Sequence, residues 1–361
     1  MAEQIVGYAP GFLGEPVTFP AFDSGNCAPL KQEFIHEGSD KEIRYTHFSL
    51  FQHRVRKLPL LAAVNISGEA YSAKPRIGGD DWQFCEQIDE NFQVDNKFYG
   101  KDLNTFDRGH IVRRVDPCWG PEETSILADK QTFNWANCTP QHKLLNQKGG
   151  IWFQLEQHIM EHGVKGKIAD ISVFAGPVLD KRDLNFIKPY KDNPIQIPSV
   201  FWKVIVYKKS DGKLYAVGFM MSQWEFIKDK MINGAEMEKA MVDIKEPLPD
   251  DYFETLRFSD NKTYQVSLKE IEKATGITFK WDNVSFPFTS AKPQAITASP
   301  VETIRPYAEI FTEVKAEASG ATTEGAKAYV KTEIDPFTLG RLSAYQETYT
   351  VKQFEIDNII L

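Results

Sequence analysis

The chain has 361 residues and a formal net charge of −8, from 42 Lys+Arg against 50 Asp+Glu, with 42% hydrophobic and 25% charged residues. This balance is that of an ordinary globular protein and excludes global disorder and collagen-like repeats; no apolar run approaches the ~18 residues a membrane-crossing helix needs. The acidic total also excludes a general polyanion binder, so any nucleic-acid role must rest on a local basic site.

The N-terminal MAEQIVGYAPGFLG lacks a basic segment followed by an apolar core, so the expected location is the cytoplasm, with no membrane partner. Residues 1–40, rich in Gly, Pro and acidic residues, read as an extended, turn-punctuated arm. Leu61–Ile66 reads as a short buried strand, 67–106 as irregular, Ile111–Val115 as a strand or hairpin, and Thr124–Asn134 as a helix. Ile151–His162 has helical spacing, with Trp152, Leu155 and Ile159 on one stripe and Gly163 as a stop. Strand-like runs follow at Ile168–Phe174, Val200–Tyr207 and Leu214–Met221. Ser267 and Glu270 form a capping-box pattern for a further helix, with Val266 and Ile271 as its staple and Gly276 as its end. Strands and helices mix without a βαβ alternation, which predicts an α+β fold with a mixed or antiparallel central sheet and flanking helices. Beyond Phe288, Ser290–Pro300 and Ala318–Gly325 are small, polar and breaker-rich, as in linkers. The expected organisation is an arm at 1–40, a main domain at 41–288 and a C-terminal extension at 289–361.

The four cysteines, Cys27, Cys85, Cys118 and Cys138, form no CxxC pair, so a zinc ribbon is not supported and free thiols in a reducing compartment are expected. Chemistry concentrates between Phe106 and Glu156. Asp107–Arg108–Gly109–His110 sets an imidazole, the side chain best suited to take a proton near neutral pH, beside charged groups. Arg108, Arg113 and Arg114 are forked cations that match phosphate geometry. Asn137, Asn146 and Glu156 follow; amide and carboxylate oxygens are hard donors suited to Mg²⁺, and Asn146 with Glu156 suffices for a site completed by water and phosphate. A histidine base, a hard cation and arginines together make a set for phosphodiester hydrolysis.

These residues resemble the DNA/RNA non-specific endonucleases, the endonuclease G-like branch of the ββα-metal (His-Me finger) superfamily. The resemblance is carried by DRGH at Asp107–His110, Asn-x-x-Pro-Gln at Asn137–Gln141, Asn-Gln at Asn146–Gln147 and Trp-x-x-Leu-Glu at Trp152–Glu156, and it extends over roughly residues 40–282. It implies a ββα-metal active-site element and a magnesium-dependent, sequence-non-specific nuclease acting on DNA, RNA or both, with Mn²⁺ able to substitute. His110 would be the general base, Asn146 the direct metal ligand and Glu156 a ligand through water. Arg108 would contact phosphate, Asn137 would brace the metal helix or the scissile phosphate, and Arg113 and Arg114 would bind substrate. Two departures stand out. The stretch between Asn146 and Trp152 is one residue longer than the commonest pattern, and the position two before Trp82 is Asp80, the nearest arginine being Arg76.

Three other readings follow from the same residues. The fold could serve as a nucleic-acid-binding or interaction module with little turnover. His158, Glu161 and His162 spell H-x-x-E-H, an inverted zinc-protease signature. A nuclease kept inside its host also needs restraint, so residues 289–361 or the arm are expected to bind a regulatory protein or to mediate homo-oligomerisation. Such a protein would suit a defence or toxin system.

Overall fold

The computed structural model describes residues 7–68, 81–99, 106–142, 169–181, 183, 185–186, 195–227, 263–296, 298–303, 351–356 and 359–361. These fall into two units. The first comprises the described residues up to Ile296 together with Ile359–Leu361; in the second, strands Ala298–Thr303 and Val351–Ile356 pair antiparallel. Among the described residues, no helix is long and apolar enough to cross a membrane.

The first unit is an α+β fold built on a largely antiparallel sheet. In chain order its described strands are β1 (Ile43–Tyr45), β2 (Phe48–Gln52), β3 (Pro59–Ile66), β4 (Phe106–His110), β5 (Cys138–His142), β6 (Ile171–Val178), β7 (Val200–Lys208), β8 (Leu214–Ser222), β9 (Thr263–Val266), β10 (Val284–Ser285) and β11 (Gln294–Ala295). The large sheet has the order β1-β2-β3-β6-β7-β8-β9-β11, and β10 joins it by pairing parallel with the start of β8. β4 and β5 form a ribbon of their own. The long strands β6, β7 and β8 are buried along nearly their whole length. That explains why they read as continuous apolar runs rather than alternating ones.

Two α-helices lie among the described residues of this unit besides a single turn at Trp224–Ile227: α1 (Glu122–Thr132) and α2 (Leu268–Thr275). α1 starts two residues before the predicted point, directly after Pro121. α2 ends as expected on Gly276, which takes the left-handed conformation (φ 71°) that costs glycine least. The capping box does not form. Ser267 holds the N-cap backbone position, yet its side chain makes no cap hydrogen bond; the Glu270 N–H donates to the Ser267 carbonyl instead, at 3.1 Å. Two further expectations are corrected. Ile111–Val115 is a bend leading into a turn, because its hydrogen bonds are local or directed to Asn137. The linker-like stretch Ser290–Pro300 contains β11, which pairs with β9, and the start of Ala298–Thr303. The helix expected at Ile151–His162 and the second linker, Ala318–Gly325, lie outside the described residues.

The N-terminal segment is part of the core. Tyr8, Leu13 and Val17 are buried in one cluster with β6, β7, β8 and Ile271 of α2. The Tyr8 hydroxyl donates to the Val17 carbonyl (2.8 Å), the Tyr8 N–H to the Ser49 hydroxyl (2.8 Å) and the Ala9 N–H to Asn65 Oδ1 (2.7 Å). The Trp281 indole N–H reaches the Thr18 carbonyl at 2.8 Å. The segment is held in the folded unit by buried side chains and buried hydrogen bonds. Burying each of Tyr8, Leu13 and Val17 is worth about 1.5–3 kcal/mol. Deleting residues 1–20 is therefore expected to lower the melting temperature by ten degrees or so or to leave the chain insoluble. A deletion variant that melts with the parent in a thermal scan would show the segment to be dispensable.

Candidate active site

β4 and β5 pair in the register Phe106↔His142, Asp107↔Gln141, Arg108↔Pro140, Gly109↔Thr139 and His110↔Cys138. Side chains alternate across a strand, so Arg108 and His110 project from one face of the ribbon. Gly109 faces the other way. A Cβ there would collide with the Gln141 side chain, so the glycine of the DRGH tetrad lets the ribbon close over that residue. Phe106 ties the start of β4 into a second apolar cluster with Leu58, Val94, Phe98 and Phe186, its ring lying 5.9 Å from that of Phe186.

His110 is half-buried at the end of β4. Its imidazole packs against two aromatic rings that also touch each other, Trp82 at 4.6 Å between centroids and Phe133 edge-on at 5.1 Å. Trp82 stacks in turn on Trp135 (5.1 Å), and Trp135 on Tyr99 (5.8 Å). Trp135 is buried, and Trp119 lies flat against His47 with its indole N–H donated to the Asn65 carbonyl at 2.8 Å. Both tryptophans serve packing.

Asn137 is fully buried just before β5. Its Oδ1 accepts from the Val112 N–H (2.9 Å), and its Nδ2 donates to the carbonyls of Val112 (2.8 Å) and Thr132 (3.0 Å). The Asn137 carbonyl also accepts from the Ile111 N–H at 3.1 Å. Asn137 thus pins the two residues that follow His110, Ile111 through its main-chain carbonyl and Val112 through its carboxamide, which also ties them to the end of α1. With both donors engaged, its place in the structure is that of a brace.

Arg113 pairs with Asp116, a nearly fully buried carboxylate that also accepts from the Arg113 N–H at 2.9 Å. Arg114 pairs with Asp129 of α1 at 3.2 Å. The three arginines therefore differ in setting: Arg108 is carried on the strand with His110, whereas Arg113 and Arg114 belong to the turn beyond it and have carboxylates beside them.

All four cysteines are free and buried. Burial, reinforced by nearby Asp129, pushes the Cys118 thiol up to about 12, and its Sγ donates to the Arg114 carbonyl at 3.0 Å. Burial also raises Cys138. Neither is a reactive thiolate near neutral pH.

Asn146, Glu156 and Arg76 lie outside the described residues, as do His158, Glu161 and His162, and as does 143–168, where the resemblance puts the helix of a ββα element. Among the described residues no three His, Cys, Asp or Glu side chains gather as a metal site. The structure thus brings together Arg108, His110 and, as a brace, Asn137. Sequence reading missed the side chains that hold them: Trp82 and Phe133 against the imidazole, and Gln223, which bonds to β5 from 81 residues away. No local pattern marks such partners.

The fold and site together define an α+β protein that presents an imidazole and a guanidinium side by side on a ribbon separate from its main sheet. The chain belongs to the DNA/RNA non-specific endonuclease family, whose model matches residues 29–285. It is similar to an uncharacterised protein, y4fB, of Sinorhizobium fredii, with 31% identity over 284 residues that make up 76% of this chain and 38% of that protein. It is also similar to a salivary endonuclease of Culex quinquefasciatus, with 28% identity over 125 residues, 35% of this chain and 31% of that protein. The matches thus span only 38% and 31% of the length of these two curated relatives. Among solved structures, a chain from the EndoG/EndoGI complex aligns with a TM-score of 0.44 and 18% identity, over 70% of this chain and 93% of that one.

Proposed function

We propose that the chain hydrolyses phosphodiester bonds of DNA, RNA or both, without sequence preference. The observation that carries this reading is the placement of Arg108 and His110 on one face of the β4–β5 ribbon in a member of the non-specific endonuclease family. His110, packed against Trp82 and Phe133, takes a proton from the attacking water. Arg108 sets its guanidinium fork on the phosphate oxygens, holding the phosphorus in line for that water. Arg113 and Arg114 add positive charge at the next turn, moderated by Asp116 and Asp129. Asn146 with Glu156 through water forms the proposed metal site, an all-oxygen donor set that suits Mg²⁺ or Mn²⁺. When bound, the cation supplies charge stabilisation to the phosphoryl group and the leaving oxygen.

The test is a cleavage assay on plasmid DNA, single-stranded DNA and RNA, with Mg²⁺, with Mn²⁺ and with EDTA. Cleavage that EDTA abolishes, and that Asn146→Ala weakens strongly, is the expected result. Cleavage indifferent to EDTA would remove the metal from the reading. Tight binding with no product in either metal would favour a binding module.

A further inference from the structure

The ribbon that carries Arg108 and His110 shares no strand ladder with the large sheet among the described residues, so something else must fix its position. We propose that Gln223 is the positioning residue that locks the ribbon to the sheet and thereby sets where His110 stands; this rests on the hydrolytic reading above.

Gln223 follows directly on β8 and is fully buried. Its Oε1 accepts from the His142 N–H at 2.7 Å, and its Nε2 donates to the Pro140 carbonyl at 3.1 Å and to the Pro198 carbonyl at 2.5 Å. The carbonyl of one strand residue and the N–H of the residue two further on lie on the same strand edge. They form the pair that a parallel neighbour would engage with a single residue. The Gln223 carboxamide stands in for that missing residue, as if a third strand one peptide long ran beside β5. Pro140 contributes no N–H of its own, and it lies directly opposite Arg108 in the register. At its other end Gln223 is anchored to the large sheet: its backbone N–H donates to the Ser199 carbonyl at 2.8 Å, immediately before β7. The neighbouring Ser222 hydroxyl reaches that same carbonyl at 3.1 Å. One side chain therefore links the strand paired with β4 to the adjoining ends of β7 and β8, and both its donors and its acceptor are engaged. A glutamate of the same shape would lose both donors and face two carbonyl oxygens. A methionine would fill the space without any hydrogen bond.

The experiment compares the parent chain with Gln223→Met in steady-state cleavage of duplex DNA, with near-UV circular dichroism to confirm folding. A ribbon displaced by about an ångström should lower kcat about 100-fold, because in-line attack needs the base precisely placed, with KM rising only several-fold as Arg108 moves with the same ribbon. A folded variant with parental kcat, or one whose loss lies wholly in KM, overturns the proposal. Native-state hydrogen exchange on the parent decides the matter even where the variant fails to fold. The His142 amide should exchange as slowly as the amides in the middle of β7, and exchange at the rate of an open strand edge overturns the proposal. This measurement needs no activity, so a parent chain that cleaves nothing would refute the nuclease reading and leave the amide result standing on its own.

Discussion

His110→Ala is expected to lower plasmid cleavage by about 10²–10⁴-fold, the range attributed to a positioned general base. The expectation rests on geometry: the imidazole ends β4 two residues from Arg108, and its ring packs against Trp82 and Phe133. Removing the ring leaves a gap beside those aromatics, so loss of activity must be separated from loss of structure. His110→Gln fills most of that gap without supplying a base and is expected to lose cleavage to a similar degree. Both variants should keep the near-UV circular dichroism signal of the surrounding tryptophans, and both should still retard DNA in a gel, since Arg108 remains. Cleavage within a few-fold of the parent by either folded variant would take the base role away from His110.

Asn137→Ala should be the most damaging single change to the stability of the site. It leaves the Val112 N–H, the Val112 carbonyl and the Thr132 carbonyl without the partner that satisfies them. A buried polar group left unsatisfied costs about 1–3 kcal/mol, so the total is expected to reach about 3 kcal/mol or more, read as a melting temperature lower by about ten degrees. Asn137→Asp separates the contributions, because it keeps the acceptor for Val112 but turns two donors into oxygens facing carbonyls. It should be nearly as damaging. Cleavage should fall in both variants along with stability, because the residues after His110 lose their brace. A variant that melts like the parent yet cuts no DNA would show instead that the side chain touches substrate.

Much of the architecture is legible in local patterns. The apolar runs at 168–174, 200–207 and 214–221 read as strands, and the structure has strands at 171–178, 200–208 and 214–222, buried along nearly their whole length. Gly276 marks the end of α2 because few other residues tolerate its conformation. DRGH, with the Asn and Glu elements that follow it in order, carries the resemblance to the family. Other features left no local trace. Ile111–Val115 carries strand-like residues, yet it turns because Asn137 and Asp116 capture its backbone N–H groups. Gln294–Ala295 sits in breaker-rich sequence and becomes a strand only because β9 has an open edge to pair with.

The order of residue types along this polypeptide decides which chemistry it can perform: a proton acceptor, a phosphate fork and hard oxygen donors are present whatever the chain's shape. Folding decides where each of them is placed. Three arginines look alike in the written chain. Once folded, Arg113 and Arg114 stand against carboxylates of their own, while Arg108 shares a strand face with His110. Asn137 and Gln223 become supports because buried peptide groups must find hydrogen-bond partners, and those partners are chosen by proximity in space, over separations that no local pattern encodes.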